Sequence, residues 1–369
     1  MPIDPVSLSM AKKAMKSVIF SDHPPDIHKL WYDTKTGILK GYNLKKQKWG
    51  YISDLPIYAN FDNDGGGYWT NYISIDIITP PKESTQYCIT IDGEYIKIKS
   101  IDLSKDLLSE KIGNIFWNTV AGINDIRVFD DNFRQNYFWI EEFDIRKKVI
   151  KIWVKLNAGQ RKIGIAFGNE KALKSKYNNG NMVFEFFDHF DESKLDTNKW
   201  VLYRGHPVLK NSCITNPYDF VYVRSKNPLN LPIIVTAKIY GSGTGYADDC
   251  GIGLSPNKPS WDYAVCRYIS LEYQGDWGPN VLGHLNMNMY LRVKVPSDKL
   301  YTIFNLSNEV RWWLSTGNRT VRANVNNYRY ITLALIRTTS TQAIDFVYAR
   351  KYIKKDLSFG QPEVNFEWK

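Results

Sequence analysis

The residues best suited to chemistry in this 369-residue chain lie in one short loop. Tyr273, Asp276 and Trp277 stand close together there, with Gly275 and Gly278 allowing a tight path. Aromatic rings pack under the apolar face of a sugar, and carboxylates accept hydrogen bonds from its hydroxyl groups. The loop is therefore a candidate carbohydrate-binding site.

A second group of candidates lies upstream, at Tyr246, Asp248, Asp249 and Trp261. A hairpin between the two segments would bring both groups together. Two interpretations stay open: Trp261 and Trp277 contact a ligand, or they close the end of a hydrophobic core. Asp248 and Asp249 could hold a calcium ion, which prefers oxygen ligands. No other cofactor is indicated.

Two of the four cysteines predict a disulfide. Cys250 and Cys266 stand symmetrically about residues 256–260, so an antiparallel hairpin turning there would place them opposite each other. A directly opposed, non-hydrogen-bonded pair lies near the separation that a disulfide tolerates. Cys88 and Cys213 are too isolated to assign, and no C-x-x-C or His-rich spacing indicates zinc.

The histidines and the glycosylation sequons indicate no catalytic site. The five histidines are scattered, and catalytic triads assemble in space, so each is assigned to structure. Sequons at Asn305 and Asn318 fall at predicted surface turns and could accept glycans.

Strands must position these residues, because apolar and polar residues alternate through most of the chain after residue 68. The first half predicts strands at Tyr68–Ile78, Gln86–Ile91, Tyr95–Ile98, Ile126–Phe129, Tyr137–Glu142, Val149–Leu156 and Lys162–Phe167, with a short helix at Ser104–Lys111. The second half predicts strands at Phe184–Phe190, Lys199–Val201, Phe220–Val223, Ile233–Tyr240, Gly251–Leu254, Tyr263–Leu271, Met287–Val295, Tyr301–Leu306, Val310–Leu314, Val321–Val325, Ile331–Ile336 and Ile344–Tyr352. The pattern indicates an all-β fold with two β-sandwiches in series, at 68–175 and 176–355, and a C-terminal tail at 356–369.

Composition agrees with this fold class. The chain is 43% hydrophobic and 14% aromatic, and aromatic residues favour sheets. The net charge of +10 would attract anionic partners, but the Lys and Arg residues are spread along the chain. A solvated surface is favoured over nucleic-acid binding. No stretch approaches the ~20 apolar residues of a membrane span, and no secretory signal is recognised.

The N-terminal residues are predicted to form an attachment region. Residues 1–20 predict an amphipathic helix, because Val6, Met10, Ala14 and Val18 recur every four positions. Whether this helix packs on its own domain or anchors the chain to sister chains stays open. Residues 21–67 predict a linker, a three-stranded meander and a glycine-rich hinge, a reading favoured over a calcium loop at 62–67.

Residues 125–169 resemble a domain family of unknown function. The likeness rests on Asp125–Phe129, Tyr137–Glu141, Ile152–Leu156 and Phe167–Asn169. That family occurs in surface and secreted-type proteins of archaea and bacteria. The family pattern carries a glutamate at Glu141 without assigned chemistry, so Glu141 and Glu142 are assigned to structure.

The following segment resembles a concanavalin A-like lectin/glucanase jelly roll, through Phe184–Phe190, Lys199–Val201 and the closing strand Ile344–Tyr352. The resemblance implies a carbohydrate ligand. Retaining glucanases of this fold need two close carboxylates, and laminarinase-like members carry them as E-x-D-x-x-E. This string is absent. The nearest candidates, Glu272 with Asp276 and Glu142 with Asp144, lack the second glutamate, so we expect no enzyme of that type, while a pair from separate strands stays open.

The N-terminal meander resembles units in phage and archaeal-virus tail fibres. Together, these resemblances imply a structural attachment protein of an archaeal virus tail or spike. It would bind host-surface glycan through the jelly roll and other virion proteins through its N-terminus. We expect a homo-oligomer on a virion surface or extracellular appendage. The alternatives are a glycan-degrading hydrolase and a purely structural virion component.

Overall fold

The structure is a computed structural model that describes residues 18–21, 30–33, 38–43, 48–51, 69, 71–216, 220–241, 249–257, 269–274, 280–286, 288–336 and 342–365. Before residue 69 only the backbone is described. The N-terminal strands are β1 Val18–Ser21, β2 Leu30–Asp33, β3 Ile38–Asn43 and β4 Lys48–Tyr51. They form sheet A, in which β1 runs parallel to β2 and the other pairs are antiparallel.

The predicted meander of sheet A is confirmed by β2, β3 and β4. The predicted helix at 1–20 lies outside the described residues as far as position 17. It does not extend to Val18, because residues 18–21 form β1 and pair with β2. The proposed hinge at 62–67 also lies outside the described residues.

The first sandwich has two sheets. Its elements are β5 Asn71–Asp76, β6 Thr85–Asp92, β7 Tyr95–Lys99, β8 Asp106–Glu110, α1 Gly113–Trp117, a 3-10 helix Ile123–Asp125, β9 Arg127–Phe129, β10 Phe138–Asp144, β11 Val149–Leu156 and β12 Lys162–Phe167. Sheet B has the order β28-β5-β12-β9, where β28 is the late strand Glu363–Asn365, and sheet C has the order β10-β11-β6-β7-β8. Alternate apolar residues of both sheets meet in one core, as the alternation predicts.

The helix predicted at Ser104–Lys111 is wrong. Residues 106–110 form β8, which pairs antiparallel with β7 from Ile96 opposite Glu110 to Lys99 opposite Asp106. This pairing gives the segment its backbone hydrogen bonds and buries Leu108 in the core. Tertiary pairing thus overrides the local helix preference of this segment.

The residues that open the family resemblance hold the first sandwich together. The carboxylate of Asp125 accepts hydrogen bonds from the backbone N–H groups of Ala121 at 2.9 Å, Gly168 at 2.6 Å and Asn169 at 2.6 Å. Buried Arg127 donates to the Leu173 carbonyl at 2.9 Å. These contacts join the segment before β9 to the segment after β12, so this part of the family pattern is structural.

The second sandwich begins with α2 Gly180–Val183. Its strands are β13 Phe186–Asp188, β14 Trp200–Arg204, β15 Val208–Leu209, β16 Ile214–Thr215, β17 Val221–Ser225, β18 Ile233–Tyr240, β19 Asp249–Ser255, β20 Ile269–Gln274, β21 Asn280–Leu285, β22 Asn288–Lys294, β23 Leu300–Asn305, β24 Glu309–Leu314, β25 Gly317–Arg322, β26 Tyr330–Ile336 and β27 Ala343–Lys351. Sheet D has the order β15-β16-β27-β18-β23-β24-β25, with β13 also paired to β27, and sheet E has the order β14-β17-β26-β19-β20-β21-β22. Strand β13 pairs antiparallel with β27, the closing strand of the jelly-roll resemblance, and the all-β fold class is confirmed.

The two sandwiches stack face to face, which the prediction of domains in series did not specify. Sheets C and D turn their second faces toward each other. The rings between them define a cluster that we call the joint: Trp139, Trp153, Phe184, Phe187, Phe346 and Tyr348. Ring centroids lie 5.0 Å apart for Trp139 and Phe346, and 5.2 Å apart for Trp153 and Tyr348. The layers therefore follow the order B, C, D, E.

The segment predicted as a C-terminal tail returns to the first sandwich. Leu357 and Phe359 join the core between sheets B and C. Strand β28 then pairs antiparallel with β5, from Glu363 opposite Ser74 to Asn365 opposite Tyr72. Residues 357–365 thus complete the first sandwich. Among the described residues, no helix is long and apolar enough to span a membrane.

Candidate functional site

The outer face of sheet E, directed away from the core of the second sandwich, carries a cluster of buried polar residues. On β20, Ile269, Leu271 and Tyr273 belong to that core, so the alternation of a strand turns Ser270 and Glu272 to the opposite face. Both side chains are buried, with 0% and 4% of their surface exposed. Buried polar side chains are candidates for function when backbone pairing of the strands does not explain them.

Strand register arranges the outer face into two rows. Each row crosses β17, β26, β19, β20 and β21. The first row reads Arg224, Thr332, Gly253, Ser270 and His284, and the second reads Tyr222, Ala334, Gly251, Glu272 and Leu282. The middle of both rows is therefore built from small residues, while large polar side chains stand on either side.

Glycine is required on the floor of this face at position 251. A methyl group there would lie 2.6 Å from the Leu271 carbonyl oxygen and 2.9 Å from Cγ of Glu272. These separations are too short for real contacts, so Gly251 lets β19 approach β20 beside the Glu272 side chain.

Ser270, Glu272 and His284 form the acidic side of the outer face. The Ser270 hydroxyl donates a hydrogen bond of 2.8 Å to Oε1 of Glu272, and Nδ1 of His284 lies 3.6 Å from the same oxygen. His284 is 4% exposed. A carboxylate held by a hydroxyl beside an imidazole can accept hydrogen bonds from sugar hydroxyls or exchange a proton.

Arg224 forms the basic side of the outer face. Its guanidinium lies 4.2 Å from the centre of the Tyr330 ring and 5.4 Å from that of Tyr203. One terminal nitrogen donates to the Asn257 carbonyl oxygen. Arg224 is 7% exposed, and its Nε has no hydrogen-bond partner among the residues that the structure describes. A buried cation is thus held between two rings with part of its donor capacity unused.

Of the residues predicted to bind ligand, Tyr273 is the one whose side chain the structure describes. It is 3% exposed and belongs to the core of the second sandwich, so it offers no open platform for a sugar. Asp276, Trp277, Tyr246 and Trp261 lie outside the described residues. Asp248 does too, while Asp249 opens β19 without a described side chain, so the calcium site stays a prediction.

Strand ends show which predicted groups share one end of the sheet. Asp249 opens β19 and Gln274 closes β20, and the register pairs Cys250 with Tyr273 between them. The first residue of β19 and the last residue of β20 therefore lie at the same end of the sheet.

The predicted hairpin between β19 and β20 is confirmed, but its register differs from the expected one. Cys250 lies opposite Tyr273, so the hairpin is centred further along the chain than residues 256–260. Cys266 lies outside the described residues. The Cys250–Cys266 disulfide therefore stays a prediction without the direct opposition that suggested it.

Glu141 and Glu142 lie beside the joint, and their assignment to structure stays a prediction. Glu141 accepts a hydrogen bond of 2.7 Å from Nε1 of Trp153 and one of 3.3 Å from the Tyr348 hydroxyl. Lys151 lies 3.8 Å from Glu141 and 2.9 Å from Glu142. Burial raises the pKa of Glu141, and Lys151 opposes that shift.

One sequon is not available for modification. Asn305 is 0% exposed, and its amide donates to the carbonyls of Val325 at 3.1 Å and Tyr328 at 2.8 Å. Asn318 is exposed on β25, so it keeps its predicted surface position.

Sequence reasoning missed Ser270, His284 and Arg224. A hairpin centred at residue 277 would have paired Ser270 with His284, as the register shows, so that part of the cluster was recoverable. Arg224 joins the same face only through β26, which lies about one hundred residues later, and no local pattern signals that pairing.

Residues 122–203 match the family described as a domain of unknown function (DUF2341). This confirms the resemblance read from Asp125 to Asn169. The match starts before β9 and ends inside β14, so it crosses from the first sandwich through the joint into sheet E. No curated protein matches the chain.

Several solved structures are similar to part of the chain. An endo-beta-1,3-glucanase from Pyrococcus furiosus is 10% identical, with 48% of this chain and 95% of that one covered and a TM-score of 0.35. A beta-glucanase from Bacillus licheniformis is 10% identical, with 46% and 98% covered and a TM-score of 0.34. LamAcat from Zobellia galactanivorans is 13% identical, with 45% and 97% covered and a TM-score of 0.33.

Proposed function

We propose that the second sandwich binds carbohydrate on the outer face of sheet E. The observation that carries the proposal is the pair of cross-strand rows in which a floor of small residues lies between Arg224 with Tyr222 and the Ser270–Glu272–His284 cluster. Sugars are held by a few placed hydrogen-bonding groups beside apolar or aromatic surface. The outer face supplies both kinds of group.

Each side of the outer face has a distinct part in this proposal. Glu272 accepts hydrogen bonds from sugar hydroxyls while Ser270 holds its carboxylate in place at 2.8 Å. Thr332 adds a hydroxyl on the floor, and Tyr330 and Tyr203 add aromatic surface on the far side. Burial favours such contacts because hydrogen bonds are electrostatically stronger in a low-dielectric site.

At the level of the whole chain, we propose an attachment protein that recognises host-surface glycan from a virion or another extracellular appendage. Sheet A would connect it to neighbouring proteins or to further copies of the chain. The support for this wider role is the resemblance of Leu30–Asp33 and the strands that follow to fibre units, together with the glycan site proposed above.

A second candidate function is glycoside hydrolysis, favoured by one specific observation. Glu272 is a buried carboxylate beside an imidazole, an arrangement suited to proton transfer. Hydrolysis requires a second carboxylate about 5 to 9.5 Å away. Asp276 is the candidate by sequence, and it lies outside the described residues.

The test compares Glu272→Gln with the full-length wild type on a glycan array and in a polysaccharide turnover assay. We expect the wild type to bind without releasing products, and the variant to bind on the order of 10-fold or more weakly, because a charged acceptor is lost. Glu192→Gln, at an exposed position of the same sandwich, is the matched control and should bind as the wild type does.

Unchanged binding by Glu272→Gln would contradict the proposed site, since it would leave the buried cluster with a structural role alone. Product release that disappears in the same variant would support the hydrolase instead. Wild-type protein that binds no glycan at all would favour the purely structural component.

A further inference from the structure

We infer that the ligand of the outer face is an anionic polysaccharide, whose carboxylate or sulfate group is bound by Arg224. The inference rests on the proposed carbohydrate-binding function and adds the chemical class of the sugar. It follows from the rings and the carbonyl that contact Arg224, and from the lack of a carboxylate beside it among the described residues.

Arg224 is a buried cation. It is 7% exposed, and no carboxylate of the described residues lies within salt-bridge distance of its guanidinium. Glu272 stands three strands away and in the adjacent row, which is about 14 Å across the strands alone at the usual spacing. Burying an unpaired charge is costly, so such a side chain calls for a counter-charge.

The guanidinium is held in a defined orientation. Tyr330 lies at 4.2 Å from its centre and Tyr203 at 5.4 Å, and one terminal nitrogen is fixed by the Asn257 carbonyl. Aromatic rings bind at the faces of a guanidinium, whose donors lie at its edge. Its Nε has no hydrogen-bond partner in the described part of the chain. A planar fork with unused donors suits the bidentate binding of a carboxylate or sulfate.

The position of Arg224 on the outer face connects it to the proposed sugar site. Thr332 follows it directly in the first row, and Gly253 follows Thr332. An anionic group at Arg224 therefore places the rest of a sugar over small residues. On the edge strand β22, the exposed side chain of Lys294 adds positive charge beyond β21. A polymer with repeated negative charges would meet cations on β17 and on β22.

The experiment measures binding of the full-length chain to three polysaccharide probes of comparable size: a polyuronate, a sulfated dextran and neutral dextran. We expect the wild type to bind at least one anionic probe, at least about 10-fold more tightly than neutral dextran. Arg224→Gln should weaken that binding on the order of 10- to 100-fold, because hydrogen bonds to charged groups are lost. The stronger of the two anionic probes identifies the group as carboxylate or sulfate.

Two variants control for overall charge and for folding. Arg319→Gln removes the same charge from an exposed position on β25 and should leave binding within about twofold of wild type. Arg224→Lys keeps the charge but removes the planar fork, so it should bind more weakly than wild type at equal salt. Melting temperatures of all variants show whether each is folded, and a rise of the wild-type melting temperature with the anionic probe alone tests the inference without any substitution.

The outcomes separate this inference from the function on which it rests. Equal binding of neutral and anionic probes, or equal losses in the Arg224→Gln and Arg319→Gln variants, would overturn the inference while leaving a carbohydrate site in place. Binding of neither class of probe, with no glycan bound on the array, would contradict the proposed function itself.

Discussion

The joint and the outer face of sheet E are both formed by sheet faces outside a sandwich core, yet their compositions are opposite. Each lies on the side of a sheet that faces away from its own core. The joint is filled by rings, with Phe184 and Tyr348 stacked at 4.3 Å and Trp139 edge-on to Phe187 at 4.9 Å. The outer face has Gly251 and Gly253 at its centre. A face that packs against another sheet therefore carries aromatic bulk, whereas the outer face keeps its bulk low.

The buried charged groups of the joint and of the outer face can also be compared by their partners. In the joint, the Glu141 carboxylate is held by Trp153, Tyr348 and Lys151. On the outer face, the Nε of buried Arg224 has no hydrogen-bond partner among the described residues, and the same holds for the Nε of Arg350 beside Trp153 in the joint. The two regions therefore differ in how their carboxylates and rings are arranged, while each holds one buried arginine.

The largest expected effect comes from a substitution that disrupts the joint. Trp139→Ala removes a ring that contacts four other rings across the interface, and we expect the free energy of unfolding to fall by about 3 to 5 kcal/mol. Urea unfolding of the full chain measures this change. Ile145→Ala, at a side chain that is 50% exposed, is the control and should cost less than about 0.5 kcal/mol. A loss below 1 kcal/mol for Trp139→Ala would mean that the rings do not hold the sandwiches together.

A middle-sized effect tests the floor of the outer face. Gly251→Ala places a methyl group against Leu271 and Glu272, so we expect a loss of about 1 to 3 kcal/mol in stability. Glycan binding should fall further than this loss explains, because Glu272 must move. Array binding at a temperature where the variant remains folded measures the second effect. Binding equal to wild type in the folded variant would show that the floor plays no part in recognition.

The smallest expected effect concerns the rim of the joint, where His189 lies between two carboxylates. Its Nε2 is 3.4 Å from Asp345 and its Nδ1 is 3.0 Å from Asp191, while Lys238 also binds Asp345 at 2.9 Å. The hydrogen bond with Asp345, helped by Asp191, raises the pKa of His189 above 6.5. The stabilisation is therefore complete below pH 6.5 and lost as the pH rises through the raised pKa.

His189→Gln should remove this pH dependence, at a cost of at most about 1 kcal/mol below pH 6.5 because the ring is partly exposed. Thermal unfolding at pH 6 and pH 8.5 measures the difference, with His206→Gln, at an exposed position, as the control. A wild-type protein with the same difference in stability between these pH values as the His189→Gln variant would contradict this role for the histidine.

The strands were the most predictable part of the fold, because alternation is a local signal. The ranges predicted for β11, β12 and β18 agree with the structure at both ends. The local sequence of β8 predicts a helix, because Leu107 and Leu108 lie among charged residues. Pairing with β7 determines its actual conformation. Strand β28 carries too few residues to be recognised without its partner β5.

The candidate site was less predictable than the fold. The ring of Tyr273 suggested a ligand platform, but Ile269 and Leu271, four and two residues earlier, place it on the core face of β20. The same alternation would have directed attention to Glu272. The link from Arg224 to Gly253 depends on β26 lying between their strands, and such long-range pairings follow from the whole sheet.

The return of β28 to β5 sets an order of events during synthesis. Strand β5 leaves the ribosome early, but its neighbour at the edge of sheet B emerges only after the entire second sandwich has been made. Domains commonly fold in the order of their translation, N-terminal first. Here the nascent first sandwich must wait, with the edge of β5 unpaired, until Asn365 has been added.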